Sequence, residues 1–244
     1  MRNKITAAIL FIMIPLAAFA QTADEIIARA DQAQTFSTII STGEFRITDR
    51  FGMKISTFKS WGRGENESLI EFTSKAERGQ KVLRTEKEIY LFYPDAEELI
   101  RMQGAALRQG MLGSDISYED MTGGKDRKSQ YEAVLEGSGT AAGRDCWIIS
   151  MTATTRTVAY PKQKLWIDKK NYIVMKGEYY TRSGRLLKEI EVLDVRDVGG
   201  RELAVETRIT DKMKSDSETL LILKDIEFNK AIDPSVFSLE ELSW

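Results

Sequence analysis

The 244-residue chain has no histidine, one cysteine and only four prolines. Without an imidazole it cannot build a serine–histidine or cysteine–histidine pair, a histidine-ligated metal site or a histidine acid–base group. The single cysteine, Cys146, excludes a disulfide within the chain, and its place in the apolar pattern DCWIISM favours a buried thiol over a reactive one. We therefore expect a protein that is stabilised by packing, is not an enzyme and has no cofactor.

The chain also lacks an apolar run long enough to span a bilayer comfortably, which takes ~20 residues. Its first residues have the pattern of a signal peptide, with Arg2 and Lys4 before the short apolar run 5–16 and small residues before position 21. No cysteine follows that could carry a lipid at the processing site. We predict a cleaved signal peptide at residues 1–20 and an exported, soluble protein.

An excess of positive charge is absent as well. Without Arg2 and Lys4, 33 basic residues face 37 acidic ones, a net charge of −4, and no segment forms a basic stripe. Nucleic acid is therefore not expected as a partner. No repeat, low-complexity tract or linker divides residues 21–244, so we expect a single domain and a monomer.

The sequence pattern contains one short helix followed by many short strands. Thr22 and Glu25 have the spacing of a capping box, which predicts a helix that ends near Gln34. Beyond it, alternating segments are separated by turn residues about every 8 to 12 positions, which is typical of antiparallel sandwiches and barrels. The tight turns favour a meander, so we expect a mainly β fold of about eleven antiparallel strands.

Strand alternation predicts which side chains point inward. The predicted inward-facing residues come from three strands and comprise Trp147, Ile149 and Met151, then Met175 and Tyr179, and finally Leu203 and Val205. Such residues usually form a packed core, but aromatic rings and thioethers also suit an adaptable apolar cavity for a ligand. The alternation is compatible with both interpretations.

One connection, residues 103–128, interrupts the strand pattern. Its central part, residues 111–121 with the sequence MLGSDISYEDM, is the lid segment; we predict short helical pieces at 105–109 and 114–121. A connection of this length is usually functional or disordered, and its apolar content argues against disorder. The apolar residues of the lid segment are Met111, Leu112, Ile116, Tyr118 and Met121. The adjacent acids Glu119 and Asp120 are expected to be solvated.

Several motifs in this order resemble one known family. They are AERGQKVLR at 76–84, YLFYP at 90–94, Arg101, and GSDISYEDM at 113–121. In sequence and spacing these motifs resemble the outer-membrane lipoprotein-sorting protein family, in its divergent LolA-like branch. Together with the strand-rich second half, the resemblance covers most of residues 21–244.

The resemblance implies a half-open antiparallel β-barrel with a helical lid over an apolar cavity that accepts acyl chains. It implies a periplasmic carrier of lipoproteins or lipids, with an inner-membrane release complex or exporter and an outer-membrane acceptor as partners. Because charged groups are unfavourable next to acyl chains, we expect the polar motif residues Asp115, Glu119, Arg78 and Arg101 to anchor the lid segment. The alternative is an accessory or sensory protein of a membrane complex that uses the same fold without carrying cargo.

Overall fold

The computed structural model describes residues 21–86, 88–122 and 127–242, so the predicted signal peptide lies outside the described residues. The first element is α1 (Ala23–Ala33), with Gln34 as its C-cap. The Glu25 N–H donates to the Thr22 hydroxyl at 3.2 Å, and the Thr22 N–H donates to the Glu25 carboxylate at 3.0 Å. Because this capping box satisfies amides that the helix cannot pair, the predicted helix is confirmed.

Thirteen strands form one antiparallel sheet. They are β1 (Thr38–Asp49), β2 (Gly52–Arg63), β3 (Glu67–Phe72), β4 (Lys81–Arg84), β5 (Ile89–Tyr93), β6 (Glu98–Met102), β7 (Tyr131–Ala141), β8 (Arg144–Ala153), β9 (Lys162–Asp168), β10 (Val174–Tyr180), β11 (Leu186–Val198), β12 (Arg201–Asp211) and β13 (Glu218–Phe228). Short helices lie at α2 (Tyr118–Thr122) and α3 (Arg127–Gln130), and 3-10 turns at Pro94–Ala96, Gly104–Arg108, Met111–Gly113 and Pro234–Phe237.

The sheet consists of two meanders joined along their first and last strands. Strands β1 to β6 follow one another, as do β7 to β13, and β1 pairs with β13, which leaves β6 and β7 as the two edges. The predicted class, an open antiparallel barrel, is confirmed. The expected number of about eleven strands was slightly too low, since thirteen strands form the sheet.

Register shows which residues share a face, because directly opposed residues of neighbouring strands point to the same side. One row across the sheet consists of Leu165, Gly177, Ile190, Ile209, Thr219 and Ile47. We call the side of this row the inner face. Buried clusters around Leu165 and around Ile47 lie on it, and they contain α1 and the lid segment respectively.

The other side of the sheet is the outer face, and the C-terminal residues cover part of it. Leu69 and Leu83 alternate with inner-face residues of β3 and β4, and they pack with Phe237 and Leu242. In the part of the chain that the structure describes, no helix has the length and apolarity needed to cross a membrane.

Candidate functional site

The lid segment is part of the connection between the edge strands β6 and β7, and it packs against the inner face of strands β1 to β6. Met111 and Tyr118 are buried in the cluster there, and the other three apolar residues of the lid segment pack against it partly buried. Their common partners are inner-face residues that include Phe45, Phe58, Phe72, Val82 and Leu91. All five apolar residues predicted for the lid segment therefore lie on one apolar surface.

A tight reversal of the backbone shapes the lid segment. The Met111 N–H donates to the Ile116 carbonyl at 2.8 Å, and Gly110 forms a bridge with Ser117. A Cβ at Gly110 would lie 2.1 Å from the Ser114 carbonyl oxygen, so only glycine fits there. The predicted helical piece at 114–121 is therefore wrong in its first half, because residues 114–117 form this reversal and α2 begins only at Tyr118.

Asp115 connects the lid segment to β13. Its buried carboxylate accepts hydrogen bonds from the Thr219 hydroxyl at 3.0 Å and the Ser217 hydroxyl at 2.7 Å. The Asp115 N–H donates to the Thr219 oxygen at 2.9 Å, and the Lys214 ammonium lies 3.4 Å from the carboxylate. The structure therefore places Asp115 where an anchoring residue would act.

Asp120 forms a second connection, which the sequence analysis missed. Its carboxylate accepts from the Ser117 N–H at 2.7 Å, from the Tyr160 hydroxyl at 2.6 Å and from the Lys188 ammonium of β11. Lys188 is buried, and its ammonium also lies 5.7 Å from the centre of the Tyr160 ring. Burial, and after it the Asp120 charge, raises the pKa of Tyr160, so this hydroxyl remains a donor at neutral pH.

Two signals in the sequence point to this second connection. Ser117 and Asp120 form a reciprocal capping pair at the start of α2, which marks Asp120 as structured and not simply solvated. Lys188 alternates with Ile190 and Val192 in β11, so period two places its ammonium on the inner face. The contact of Tyr160 carries no comparable signal, because it lies in the connection between β8 and β9.

The other three predicted anchoring residues have different surroundings. The Glu119 carboxylate lies 3.8 Å from Arg108, which belongs to the same connection as the lid segment. Arg101 forms an ion pair with Glu88, next to the neighbouring strand β5. Arg78 is exposed in the turn between β3 and β4. An anchoring role for these three residues stays a prediction.

Four of the residues predicted to point inward form a core with α1. Ile149 and Met151 are buried there with Ile26 and Ile27 of the helix, and Trp147 and Tyr179 pack against the same cluster. The Trp147 ring also stacks on Tyr172, with ring centres 5.3 Å apart. In this arrangement the interpretation as a packed core applies to these positions.

The remaining three inward predictions have different neighbours. Met175 is buried with Cys146, Ile173 and Val192, next to a register shift between Val174 and Lys176. This cluster is separate from the one that contains Tyr179. On β12, Val205 is buried and Leu203 is half-buried.

Two cavities flank the connection between Asp120, Tyr160 and Lys188. One, of about 450 Å³, lies between the end of α1, α2 and strands β10 and β11, and Tyr179 and Asp120 are part of its lining. The other, of about 370 Å³, lies between α2 and the turns near Arg182 and Met213. Tyr160 contributes to both, and carboxylates and basic groups line them beside aromatic rings. The apolar inner face itself is covered by α1 and the lid segment.

The described side chains offer no metal site. Within residues 21–86, 88–122 and 127–242, no group of three or more cysteine, aspartate or glutamate side chains is arranged to hold a metal ion. The thiol of Cys146 is buried, and burial raises its pKa, so it is poorly suited to act as a nucleophile. The polar connections at Asp115 and Asp120 hold the apolar residues of the lid segment against the inner face.

Solved structures with this fold come from several bacteria. A DUF1329 family protein from Desulfovibrio piger superposes with a TM-score of 0.82 at 21% identity, over 89% of this chain and 96% of the other. A structure from Vibrio parahaemolyticus, described as an outer membrane lipoprotein-sorting protein domain, gives 0.79 at 20% identity, over 89% and 97%. A LolA superfamily protein from Nitrosomonas europaea gives 0.73 at 22% identity, over 91% and 100%.

These likenesses show the fold, and the predicted resemblance to the divergent LolA-like branch is confirmed at that level. No match is found among curated protein sequences. A family model described as "Uncharacterized protein" matches residues 64–244, which include the lid segment and strands β4 to β13. The chain therefore belongs to the family that this model defines, and its fold is similar to that of these three solved structures.

Proposed function

We propose that the protein is a periplasmic carrier that binds the acyl chains of a lipoprotein or lipid on its inner face, under the lid segment. An inner-membrane release complex or exporter would load or release the cargo, and an outer-membrane acceptor would receive it. The protein performs no catalysis in this proposal. Each methylene removed from water contributes about 0.8 kcal/mol, so an apolar surface of this kind can hold an acyl chain outside a membrane.

The observation that supports this proposal most directly is the composition of the lid contact. The apolar residues of the lid segment share one buried cluster with Phe45, Phe58 and Phe72, whereas its connections at Asp115 and Asp120 are polar. An acyl chain can replace the apolar contact of the lid, and water can replace its hydrogen bonds. Lid displacement would therefore exchange one apolar partner of the inner face for another.

Photocrosslinking with a fatty acid tests the proposal. The purified protein is incubated with palmitate that carries a diazirine on its chain, irradiated and digested, and the labelled peptides are identified by mass spectrometry. We expect label on β1, β2 and β3, at or beside Phe45, Phe58 and Phe72. Unlabelled palmitate should compete for these positions.

A variant of the lid anchor sharpens this test. Asp115→Ala removes the carboxylate that holds the lid segment, so the initial rate of labelling should rise several-fold. Asp95→Ala, which changes an exposed carboxylate in the turn before β6, is the matched control and should label like the wild type. Absence of label, or label confined to exposed positions in both variants, would contradict the proposal.

The alternative, an accessory or sensory protein that carries no cargo, has one observation in its favour. α1 and the lid segment already cover the inner face, so the fold satisfies its own apolar surface. Under this alternative the fatty acid would not compete with the lid segment. Hydrogen exchange would then respond to a membrane protein partner and not to palmitate.

A further inference from the structure

The hairpin between β1 and β2 ends in an apolar surface that no part of the described chain covers. Its large side chains Phe51, Met53 and Ile55 are 82%, 65% and 45% exposed. We call residues 49–56 the hairpin tip. Single exposed apolar residues are common on protein surfaces, but three within five positions at one projecting turn indicate a contact with something apolar.

The usual pattern of polar and apolar residues is inverted in the hairpin tip. Met53 and Ile55 lie opposite Thr48 and Arg46, and register therefore places them on the outer face. The residue between them, Lys54, lies on the inner side, where its ammonium is 2.7 Å from the buried carboxylate of Glu77. Core packing cannot explain apolar residues that point to water beside a lysine that points inward.

The hairpin tip also projects from one side of the sheet. Strand β3 pairs with β2 up to Phe58, and the Thr73 N–H still donates to the Thr57 carbonyl, so residues 52–56 extend beyond this pairing by five residues, roughly 16 Å of strand. Ile47 pairs with Thr219, the partner of Asp115, so the tip lies at the end of the barrel where the lid segment is anchored. Met213, 51% exposed, lies in the β12–β13 turn at the same end and contributes to the smaller cavity.

The shape and chemistry of the hairpin tip fit a lipid bilayer. A stable protein interface buries about 800 Å² on each partner, and three side chains on a narrow convex turn offer much less. A bilayer surface accepts a few large apolar side chains with a cation at headgroup level. Arg50 provides this cation, since its guanidinium lies 4.6 Å from the centre of the Phe51 ring, and among the described residues no carboxylate forms an ion pair with it.

The geometry points to the hairpin tip as a membrane-docking element, with Phe51 and Met53 inserted among the headgroups and Arg50 at a lipid phosphate. The chain has a net charge of −2, so the attachment depends on this local apolar contact and not on overall attraction. Docking in this orientation brings the anchored end of the lid segment and the smaller cavity to the bilayer. The inference does not depend on any cargo, because an empty protein would dock equally well.

Co-sedimentation with sucrose-loaded vesicles tests the inference. The full mature chain is mixed with vesicles of phosphatidylcholine alone or with added phosphatidylglycerol, and the bound fraction gives a partition coefficient. We expect the double variant Phe51→Ser/Met53→Ser to bind at least about tenfold more weakly than the wild type, because burying each side chain gains more than about 1.4 kcal/mol. Arg50→Gln should lose several-fold on the anionic vesicles and less on those of phosphatidylcholine alone.

Val134→Ser is the matched control, because Val134 is 61% exposed on the edge strand β7, away from the hairpin tip. It should bind vesicles like the wild type. The substituted side chains are exposed, so all variants should melt at the temperature of the wild type.

Failure of the wild type to bind either vesicle, or equal binding by the double variant, would overturn the inference. Loss of a dimer in the double variant without vesicle binding would indicate a protein partner instead. The crosslinking test above uses no membrane, so the two outcomes are independent.

Discussion

The two elements that cover the inner face differ in how they are attached. α1 is a regular helix whose Ile26 and Ala30 are buried against Ile149 and Leu165, and its polar contacts, such as Arg29 with Tyr172, are exposed at its rim. The lid segment is a tight reversal that is connected through the buried carboxylate of Asp115 and the half-buried carboxylate of Asp120. Releasing α1 exposes its four buried apolar residues, whereas opening the lid segment exposes two, Met111 and Tyr118, and lets water replace its hydrogen bonds. We infer that α1 is a permanent part of the core and that the lid segment is the part that can open.

The largest expected effect concerns α1. Ile26→Ala removes a fully buried side chain, and we expect it to lower the free energy of unfolding by about 2–5 kcal/mol in urea denaturation. Met111→Ala deletes a similar volume in the lid segment. Its effect on the free energy of unfolding cannot exceed the free energy of lid closure, because the substitution has no effect once the lid is open. The loss should therefore be clearly smaller.

Gln32→Ala is the control for the first comparison, because Gln32 is exposed on the same helix. It should leave the unfolding midpoint nearly unchanged. Limited proteolysis adds a second measurement, since Met111→Ala should accelerate cleavage near the lid segment and Ile26→Ala should not do so selectively. Equal losses for Ile26→Ala and Met111→Ala would mean that α1 and the lid segment form one cooperative unit.

The anchor at Asp115 provides a smaller, more local effect. Thr219→Val keeps the volume of this fully buried side chain but removes both of its hydrogen bonds to Asp115. We expect the closed lid to lose about 1–3 kcal/mol, because Asp115 keeps a buried carboxylate with fewer partners. Hydrogen exchange should report this loss in the amides of residues 111–121 and much less in α1.

Thr210→Val is the matched control for this anchor. Thr210 lies half-buried in the neighbouring strand β12, opposite Glu189. Replacing it by valine keeps the side-chain shape, as in Thr219→Val. The amide exchange pattern of Thr210→Val should match the wild type. If Thr219→Val accelerates exchange equally throughout the sheet and α1, then the contact stabilises the whole fold and is not a lid anchor.

The elements that could be predicted from the sequence are those with local causes. The capping box at Thr22 and the apolar residues of the lid segment are encoded within a few positions, and each lies where its pattern indicated. The meander follows from turns that connect neighbouring strands. Pairing of β1 with β13 joins residues about 180 positions apart, and no local pattern reports such a contact.

The functional contacts depend on this long-range pairing, and for that reason they were only partly foreseen. Lys188 reaches Asp120 across 68 positions, and Tyr160 reaches it across 40. Met175 belongs to a different cluster from Tyr179, and a register shift between Val174 and Lys176 lies directly beside it. Strand periodicity predicts a face only as long as the register is regular.

The smallest expected effect on stability comes from tyrosine ionisation at alkaline pH. Its sign should be opposite in the lid segment and beside α1. Burial, and after it the nearby Tyr93, raises the pKa of Tyr118 in the lid segment above its usual value of 10.0. The unfolded chain then releases this proton first, so stability should fall as the pH rises above 10. At pH 10.5 the loss from this group is below about 1 kcal/mol. Tyr118→Phe should therefore flatten the alkaline loss of stability.

Tyr172, beside α1, provides the contrasting case. Hydrogen bonds from Gln21 and Arg29 lower its pKa, although partial burial acts against them, so its ionisation favours the folded state above the unfolded-state pKa. That contribution is lost as the pH falls through the lowered pKa. Tyr172→Phe should therefore steepen the alkaline loss that Tyr118→Phe flattens, as urea denaturation at about pH 8 and about pH 10.5 would measure. Changes of the same sign in both variants would mean that α1 and the lid segment do not differ in this electrostatic respect.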